Sequence, residues 1–355
     1  MIRVAVVFGG RSAEHEVSCV SAASVIGAID REGFEVVPVG IDKDGRWMLL
    51  EGPPPRDPDA DRLPAIEPGS GEPVTLAGAG EPALVRSSGE RIPVDVVFPV
   101  LHGPYGEDGT IQGLLEFAGI PYVGAGVLAS AVAMDKSVAR VLFRAAGLPL
   151  TPWLVTSRVE WGEDAEAVEA RAEALGVPLF VKPAALGSSV GVSKVKSLAD
   201  LPGALEEAFR HGRRAVVEAA VEDAREIECA ILGNDEPVAS VPGEIVPAGE
   251  FYDYRSKYLD DRTRLIVPAD LSPETVEEVQ RMAVAAFQAV DAAGMARVDF
   301  LLGPRGLYLN EVNTIPGFTE VSMYPKMWEA SGLPYPDLID RLIHLGLERH
   351  GGADV

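Results

Sequence analysis

The chain has 355 residues, too many for one ordinary core and enough for two or three domains. With 47% hydrophobic and 24% charged residues it reads as globular rather than disordered. Its 31 basic and 54 acidic residues give a net charge of -23, which repels nucleic acid and anionic membrane, so an anionic substrate must be captured by local positive groups. The N-terminus, Met-Ile-Arg-Val-Ala-Val-Val-Phe-Gly-Gly, lacks the hydrophobic core and cleavage site of a signal peptide, and no apolar run approaches membrane-spanning length. A cytoplasmic protein without a nucleic-acid or membrane partner is expected. Cys19 and Cys229 fall inside apolar patterns far apart in the chain, as small buried thiols of a reducing compartment do.

In chain order, Ile2 to Phe8 is a continuous apolar run of the kind a parallel strand buried on both faces requires, followed by the loop Gly9-Gly10-Arg11-Ser12-Ala13. A helix is expected from near Ser18 to about Asp30, then strands over Glu35 to Ile41 and Asp95 to Val100, alternating with helices as in a doubly wound α/β unit. Sites in such units lie beyond the carboxyl ends of the strands, which points to Gly9 through Glu16 and to the loop Leu101 to Gly109. There Glu14 either complements a helix dipole or holds a substrate ammonium, and His102 is either a structural histidine or a substrate contact. The stretch Glu51 to Pro93, rich in Pro, Gly, Asp and Ala, reads as an insertion without chemistry, with weak strand signals around Val74 to Leu76 and Ala83 to Val85.

From Val127 to Ala146 the pattern is helical and contains Met134-Asp135-Lys136. Leu179 to Pro183 and Val192 to Val195 read as strands around a Gly/Ser loop whose backbone N–H groups can form an anion nest, although such a loop is often only a turn. Lys182, inside a buried strand, requires an anionic partner or a shifted pKa. A helix over about Leu198 to Arg210 and a strand from Arg214 to Glu218 follow; the end of that strand, Glu218 to Val221, can offer an adenine a carboxylate and backbone hydrogen bonds. Glu226 and Glu228 lie on a strand, either at the site or facing solvent. The loop Glu250 to Tyr258 has the character of a lid. A helix from Pro273 to Ala293 leads into a β-hairpin, Ala296 to Leu302 and Leu307 to Asn313, joined at Gly303-Pro304-Arg305-Gly306. Alternation puts Arg297 with Asp299 on one face of its first strand and Glu311 with Asn313 on one face of its second. Hard oxygen ligands of this kind suit Mg²⁺ shared with phosphate, the alternative being an exposed hairpin with a surface salt bridge.

Nine segments in this order resemble the D-alanine:D-alanine ligase family of the ATP-grasp superfamily. They are Gly9 to Ser18; Leu101-His102-Gly103; Gly106 to Gly109; Met134-Asp135-Lys136; Val181-Lys182-Pro183; Gly187 to Gly191; Tyr252-Asp253-Tyr254 with Lys257-Tyr258; Arg297-Val298-Asp299; and Asn310 to Thr314 with Pro316-Gly317. The resemblance implies an α/β protein of three-domain ATP-grasp architecture: a doubly wound, Rossmann-like domain over 1–124 with the 51–93 insertion, a central subdomain over 125–220, and a C-terminal subdomain over 221–355 with a lid at 249–268. It implies ATP as co-substrate, with Lys136, Lys182 and Ser189 at the phosphates, Glu218 and Val221 at the adenine and Glu226 at the ribose. Asp299, Glu311 and Asn313 would bind two Mg²⁺ (or Mn²⁺) ions. Glu14, Ser188, Tyr258, Arg297 and Gly317 would be catalytic, and His102, Lys257, Ser322 and Met323 would bind substrate. The implied reaction is ligation of two D-alanine molecules through an acyl phosphate for peptidoglycan synthesis, in a homodimer. Tyr258 matches the peptide-forming pattern, and a D-alanine:D-lactate ligase is the nearest alternative.

Overall fold

A computed structural model of the chain describes residues 1–54, 63–77, 80–247, 263–319 and 321–351. Three sheets organise it. The first is built on Ile2–Gly9, which pairs in parallel with Phe34–Ile41 and Val96–Val100 and is therefore covered on both faces. Side chains alternate along it: Val4, Val6 and Phe8 enter a core shared with helix His15–Ala28, while Ala5 and Val7 enter another shared with Thr110–Ala118. Both faces carry helices, as the alternating pattern requires. The expected insertion supplies Glu72–Leu76, Ala83–Arg86 and Arg91–Pro93, which extend this sheet by antiparallel pairing beyond Trp47–Leu49.

The second sheet is antiparallel, in the order Ser193–Val195, Leu179–Pro183, Arg214–Ala219, Trp153–Ser157. Leu179, Val181, Ala215 and Val217 pack under helices Ala165–Leu175 and Leu201–Arg210. The alternate residues Phe180, Lys182 and Glu218 point the other way, into a cavity.

The third sheet runs Arg264–Ile266, Gly243–Val246, Arg225–Gly233, Gly294–Gly303, Gly306–Asn313, with Val238–Ala239 paired to Arg225–Gly233. Ile227, Cys229, Val298, Phe300 and Leu309 pack under helix Pro273–Ala289. The opposite face is divided. Ala230, Leu232 and Met295 are apolar and lie in one core with helices Met323–Ala330 and Tyr335–Gly351 and with Val4, Phe8 and Phe98 of the first sheet. Glu226, Glu228, Arg297 and Asp299 of that face line the cavity. The C-terminal helix thus joins the first sheet to the third through one buried core and fixes the loops of the first sheet beside the charged end of the third.

Some boundaries differ from the pattern. The first helix starts at His15, not near Ser18, so Glu14 is its N-cap residue. The single helix expected over Val127 to Ala146 is two, Val127–Met134 and Lys136–Ala145, because the Asp135 carboxylate caps the second by accepting from the N–H groups of Ser137 and Val138. The helix before the hairpin ends at Ala289 rather than Ala293. Cys19 and Cys229 are free and buried, and burial pushes both thiols up to about 12, so they are inert packing groups. Among the described residues no helix is long and apolar enough to cross a membrane.

Candidate active site

The hairpin register sets Arg297 opposite Asn313 and Asp299 opposite Glu311, so all four side chains share one face, as alternation requires. The register then shifts: Phe300 faces Leu309, leaving Asn310 as the extra residue of a β-bulge. Simple alternation would turn Asn310 away from Glu311. The bulge turns both to the cavity, where the Lys182 ammonium donates to the Asn310 amide oxygen at 3.3 Å.

Most charged groups here lie against a partner of opposite sign. Arg297 donates twice to Asp299, at 2.7 Å each, and lies 3.2 Å from Glu228. Asn313 donates to Asp299 at 2.9 Å. Lys136 lies 3.2 Å from Glu311 and donates to the Leu186 carbonyl at 2.9 Å. Glu218, 3% exposed, is held on one oxygen by Lys182 and on the other by Arg140. Burial works against its charge, but Lys182, Arg140 and Lys136 outweigh it and hold the carboxyl below its ordinary range.

Three cations and five carboxylates therefore line one cavity: Lys136, Lys182 and Arg297 with Glu218, Glu226, Glu228, Asp299 and Glu311. Such a wall already has surplus negative charge, so a polyphosphate can be held there only together with added cations. Among the described residues, no group of three or more His, Cys, Asp or Glu forms a ready metal cage. Asp299, Glu311 and Asn313 are a partial set of hard oxygen donors, which fits a divalent ion whose remaining ligands come from phosphate and water.

The Gly/Ser loop edges the cavity. Ser188 (φ 52°), Ser189 (φ 56°) and Gly191 (φ 72°) take left-handed backbone conformations, the geometry that turns N–H groups toward an anion. The Ser188 hydroxyl donates to the Glu14 carboxylate, linking this loop to the first sheet. Beside it, Gly103 takes a left-handed backbone (φ +73°) in which a side chain would be strained, and a Cβ there would press on Glu14 Oε2 at 2.7 Å.

His102 is buried and its ring is committed. Nδ1 lies 3.1 Å from the Ile315 carbonyl, which can only accept, so Nδ1 carries the proton and Nε2 accepts from Ser21 at 3.0 Å. Burial lowers its pKa, consistent with a neutral ring. It reads as the pin that holds the Ile315 to Phe318 segment against the first sheet. Two residues on, a Cβ on Gly317 would meet the Ser322 hydroxyl at 2.9 Å. Ser322 is the N-cap residue of Met323–Ala330 and accepts from the Thr319 N–H at 3.0 Å. The Met323 side chain is in the core, so only its backbone N–H, at the helix N-terminus, can meet an anion.

Of the residues the sequence singled out, the cavity gathers Lys136, Lys182, Ser188, Ser189, Glu218, Glu226, Arg297, Asp299 and Glu311. Asn313 stands one hydrogen bond behind Asp299, and Glu14 one behind Ser188. Val221 lies over Gly303, off the wall. His102 is tied to Ile315, Gly317 lies against Ser322, and Ser322 precedes Met323 at the helix start; none of the four lines that cavity. Lys257 and Tyr258, and most of the expected lid, lie outside the described residues. Sequence reasoning did not notice Arg140, and it gave Asn310 and Glu107 no role of their own although both fall inside its motifs. Two adjacent polar residues, Asn310-Glu311, in an alternating strand were the available signal for the bulge. Glu107 accepts from the Gly103 N–H at 2.6 Å, and burial, reinforced by Glu14, pushes its carboxyl up to about 8.

Residues 3–125 match the family model of the D-ala D-ala ligase N-terminus and residues 142–344 that of the D-ala D-ala ligase C-terminus. The chain is 53% identical to the D-alanine--D-alanine ligase of Paenarthrobacter aurescens, with 99% of this chain and 96% of that protein covered. It is 50% identical to that of Thermoanaerobacter pseudethanolicus, covering 98% and 97%. Among solved structures it is similar to the D-alanine-D-alanine ligase from Coxiella burnetii (TM-score 0.86, 40% identity, 99% and 95% covered). It is also similar to VanG D-Ala:D-Ser ligase from Enterococcus faecalis (TM-score 0.83, 36% identity, 97% and 99% covered).

Proposed function

The chain belongs to the D-alanine–D-alanine ligase family, and from that premise we propose that it joins two D-alanine molecules at the expense of ATP, for peptidoglycan precursor synthesis. It is an enzyme with the ATP-grasp architecture. The observation that carries the reading is the single cavity in which Lys136, Lys182 and Arg297 meet the oxygen donors of the hairpin. The D-lactate alternative is not favoured, since the curated relatives are named for D-alanine.

In this reading the carboxylate of the first D-alanine attacks the γ-phosphorus of ATP, giving D-alanyl phosphate and ADP. Lys136 and Lys182 exchange their carboxylate partners for phosphate oxygens, supported by N–H groups around Ser189. Asp299, Glu311 and Asn313 would hold two Mg²⁺ or Mn²⁺ ions, which when bound offset the charge of the transferring phosphoryl group. Glu14, fixed by Ser188, holds the ammonium of the first D-alanine, with His102 setting the loops around it. The free amine of the second D-alanine attacks the acyl carbon; the tetrahedral oxyanion is stabilised by Arg297 and the Gly317 N–H, and inorganic phosphate leaves. Ser322 and the Met323 N–H receive the second carboxylate at a helix N-terminus. Glu218 and Val221 are assigned to the adenine and Glu226 to the ribose. Lys257 and Tyr258 are assigned to a lid that keeps water from the acyl phosphate.

Two further assignments accompany this reading. The enzyme works in the cytoplasm, where ATP is available. It works as a homodimer, a reading supported by the exposed apolar side chains Phe117 (87%) and Leu128 (62%) on adjacent helices. The test of function is phosphate release from ATP and Mg²⁺ with D-alanine, L-alanine, or D-alanine plus D-lactate, products being identified by mass. D-alanyl-D-alanine is expected with D-alanine alone; no D-alanine-dependent phosphate under any of these conditions would overturn the reading.

A further inference from the structure

Resting on the assignment of Glu218 to the base, we propose that Arg140 is a positioning residue for nucleotide selection: it fixes the Glu218 carboxylate as an acceptor, so that the site takes a 6-aminopurine and rejects a 6-oxopurine.

Arg140 sits in helix Lys136–Ala145 and is 3% exposed. It is not on the cavity wall, so it can act on a ligand only through another residue. Its guanidinium is held on three sides. One terminal nitrogen binds Glu218 Oε2, the other faces Thr151 Oγ1 at 3.3 Å, and the group lies 5.9 Å from the centroid of the Trp153 ring. Trp153 is itself the sheet partner of Glu218, so the clamp is part of the second sheet rather than a mobile contact. A buried arginine in this setting is a fixed, permanent charge.

Glu218 has a second cation, Lys182, and the two differ in what they can do. Lys182 reaches the cavity, and in the reading above it turns to a phosphate. Arg140 has no such access and remains. When Lys182 moves, a buried carboxylate without Arg140 would take up a proton. A protonated carboxyl can donate as well as accept, and would then tolerate an exocyclic oxygen on the base as readily as an amino group. A carboxylate pinned by Arg140 accepts from the amino group and repels the oxygen. Thus the helix that begins at Lys136, assigned to the phosphates, also sets the polarity of the base pocket.

The test is calorimetric binding of non-hydrolysable ATP and ITP analogues with Mg²⁺ to the full-length protein, alongside the KM values for ATP and D-alanine. The wild type is expected to favour the adenine analogue by about 100-fold. In Arg140→Met that preference is expected to fall to less than about tenfold and the KM for ATP to rise about tenfold, while the KM for D-alanine stays within about twofold. Arg140→Lys, which keeps the charge, should recover most of the preference. Equal weakening of both nucleotides in a folded Arg140→Met, or none, would overturn the proposal, because a merely structural ion pair has no reason to sense the base. If Arg140→Met does not fold, Thr151→Val, which removes one anchor of the guanidinium, decides: about a threefold loss of preference supports the proposal and an unchanged preference overturns it. A wild type that binds neither analogue would instead overturn the ATP reading itself.

Discussion

Between the second and third sheets, acids and bases are interleaved: Glu218 lies between Lys182 and Arg140, Glu311 faces Lys136, and Arg297 spans Asp299 and Glu228. At the end of the first sheet two carboxylates, Glu14 and Glu107, instead both lie against Gly103. Glu107 is held by the Gly103 N–H, and its charge is opposed first by burial and then by Glu14. The first arrangement suits a polyanion that arrives with its own cations and trades partners with the wall. The second suits an ammonium, which would relieve a surplus of negative charge. In the proposed reading, opposite electrostatic designs within one site would separate the phosphate chemistry from recognition of the amino acid, and changes confined to one end should leave the other intact.

The sharpest break in that comparison is Glu311→Gln. The amide keeps the size of the side chain but loses the charge that the metal reading requires, so kcat for phosphate release is expected to fall about 1000-fold or more. Thermal unfolding should show the fold retained. A variant with near-wild-type turnover would remove the hairpin from the chemistry.

Glu14→Gln acts at the other end. Loss of a charge-assisted contact to the ammonium should raise the KM for D-alanine about 10- to 100-fold, while nucleotide affinity measured by calorimetry stays within about twofold. If nucleotide and amino-acid affinities fall together, the two ends are not separate. Ser188→Ala should reproduce a weaker form of the same effect, since Ser188 reaches the substrate end through Glu14.

How far these ends were legible in sequence follows from the range of the interactions. Alternation in a strand has period two, which is enough to put Arg297, Asp299, Glu311 and Asn313 on one face. The same rule pointed Asn310 the wrong way, since a bulge is set by the pairing of two strands and not by either alone. The apolar run of Ile2 to Phe8 announced a strand covered on both sides, and its loop brought Glu14 with it. Arg140 was invisible because its meaning lies in Glu218, 78 positions away in the chain. His102 was noticed for its place at a strand end, yet its commitment to Ser21 and Ile315 depends on a segment 213 residues later. Asp135, read as part of one long helix, interrupts it because a short carboxylate caps the next helix better than it continues the last.

The pH dependence of stability should also distinguish the ends. Glu107 has a folded pKa of about 8, raised above that of an ordinary glutamate. The folded protein therefore binds more protons than the unfolded chain between the ordinary carboxyl range and about pH 8, and this contribution to stability falls as pH rises through that window. Wild-type Tm should fall more from pH 6 to pH 8.5 than that of Glu107→Gln, whose amide does not titrate. Parallel curves would show that Glu107 is ionised throughout.

The smallest expected effect tests the bulge. Asn310 offers Lys182 a neutral oxygen at 3.3 Å, a long contact beside the ionic one from Glu218. Asn310→Ala should therefore raise the KM for ATP only about two- to threefold and leave kcat within about twofold. Asn310→Asp should do more harm than alanine, because a second carboxylate on Lys182 would hold it against exchange with phosphate and add negative charge to a wall already rich in it. That order, aspartate worse than alanine, is the signature of a site tuned by how readily its lysines let go. The reverse order would mean that Lys182 is limited by too little negative charge around it, and the exchange of partners inferred for this end would be wrong.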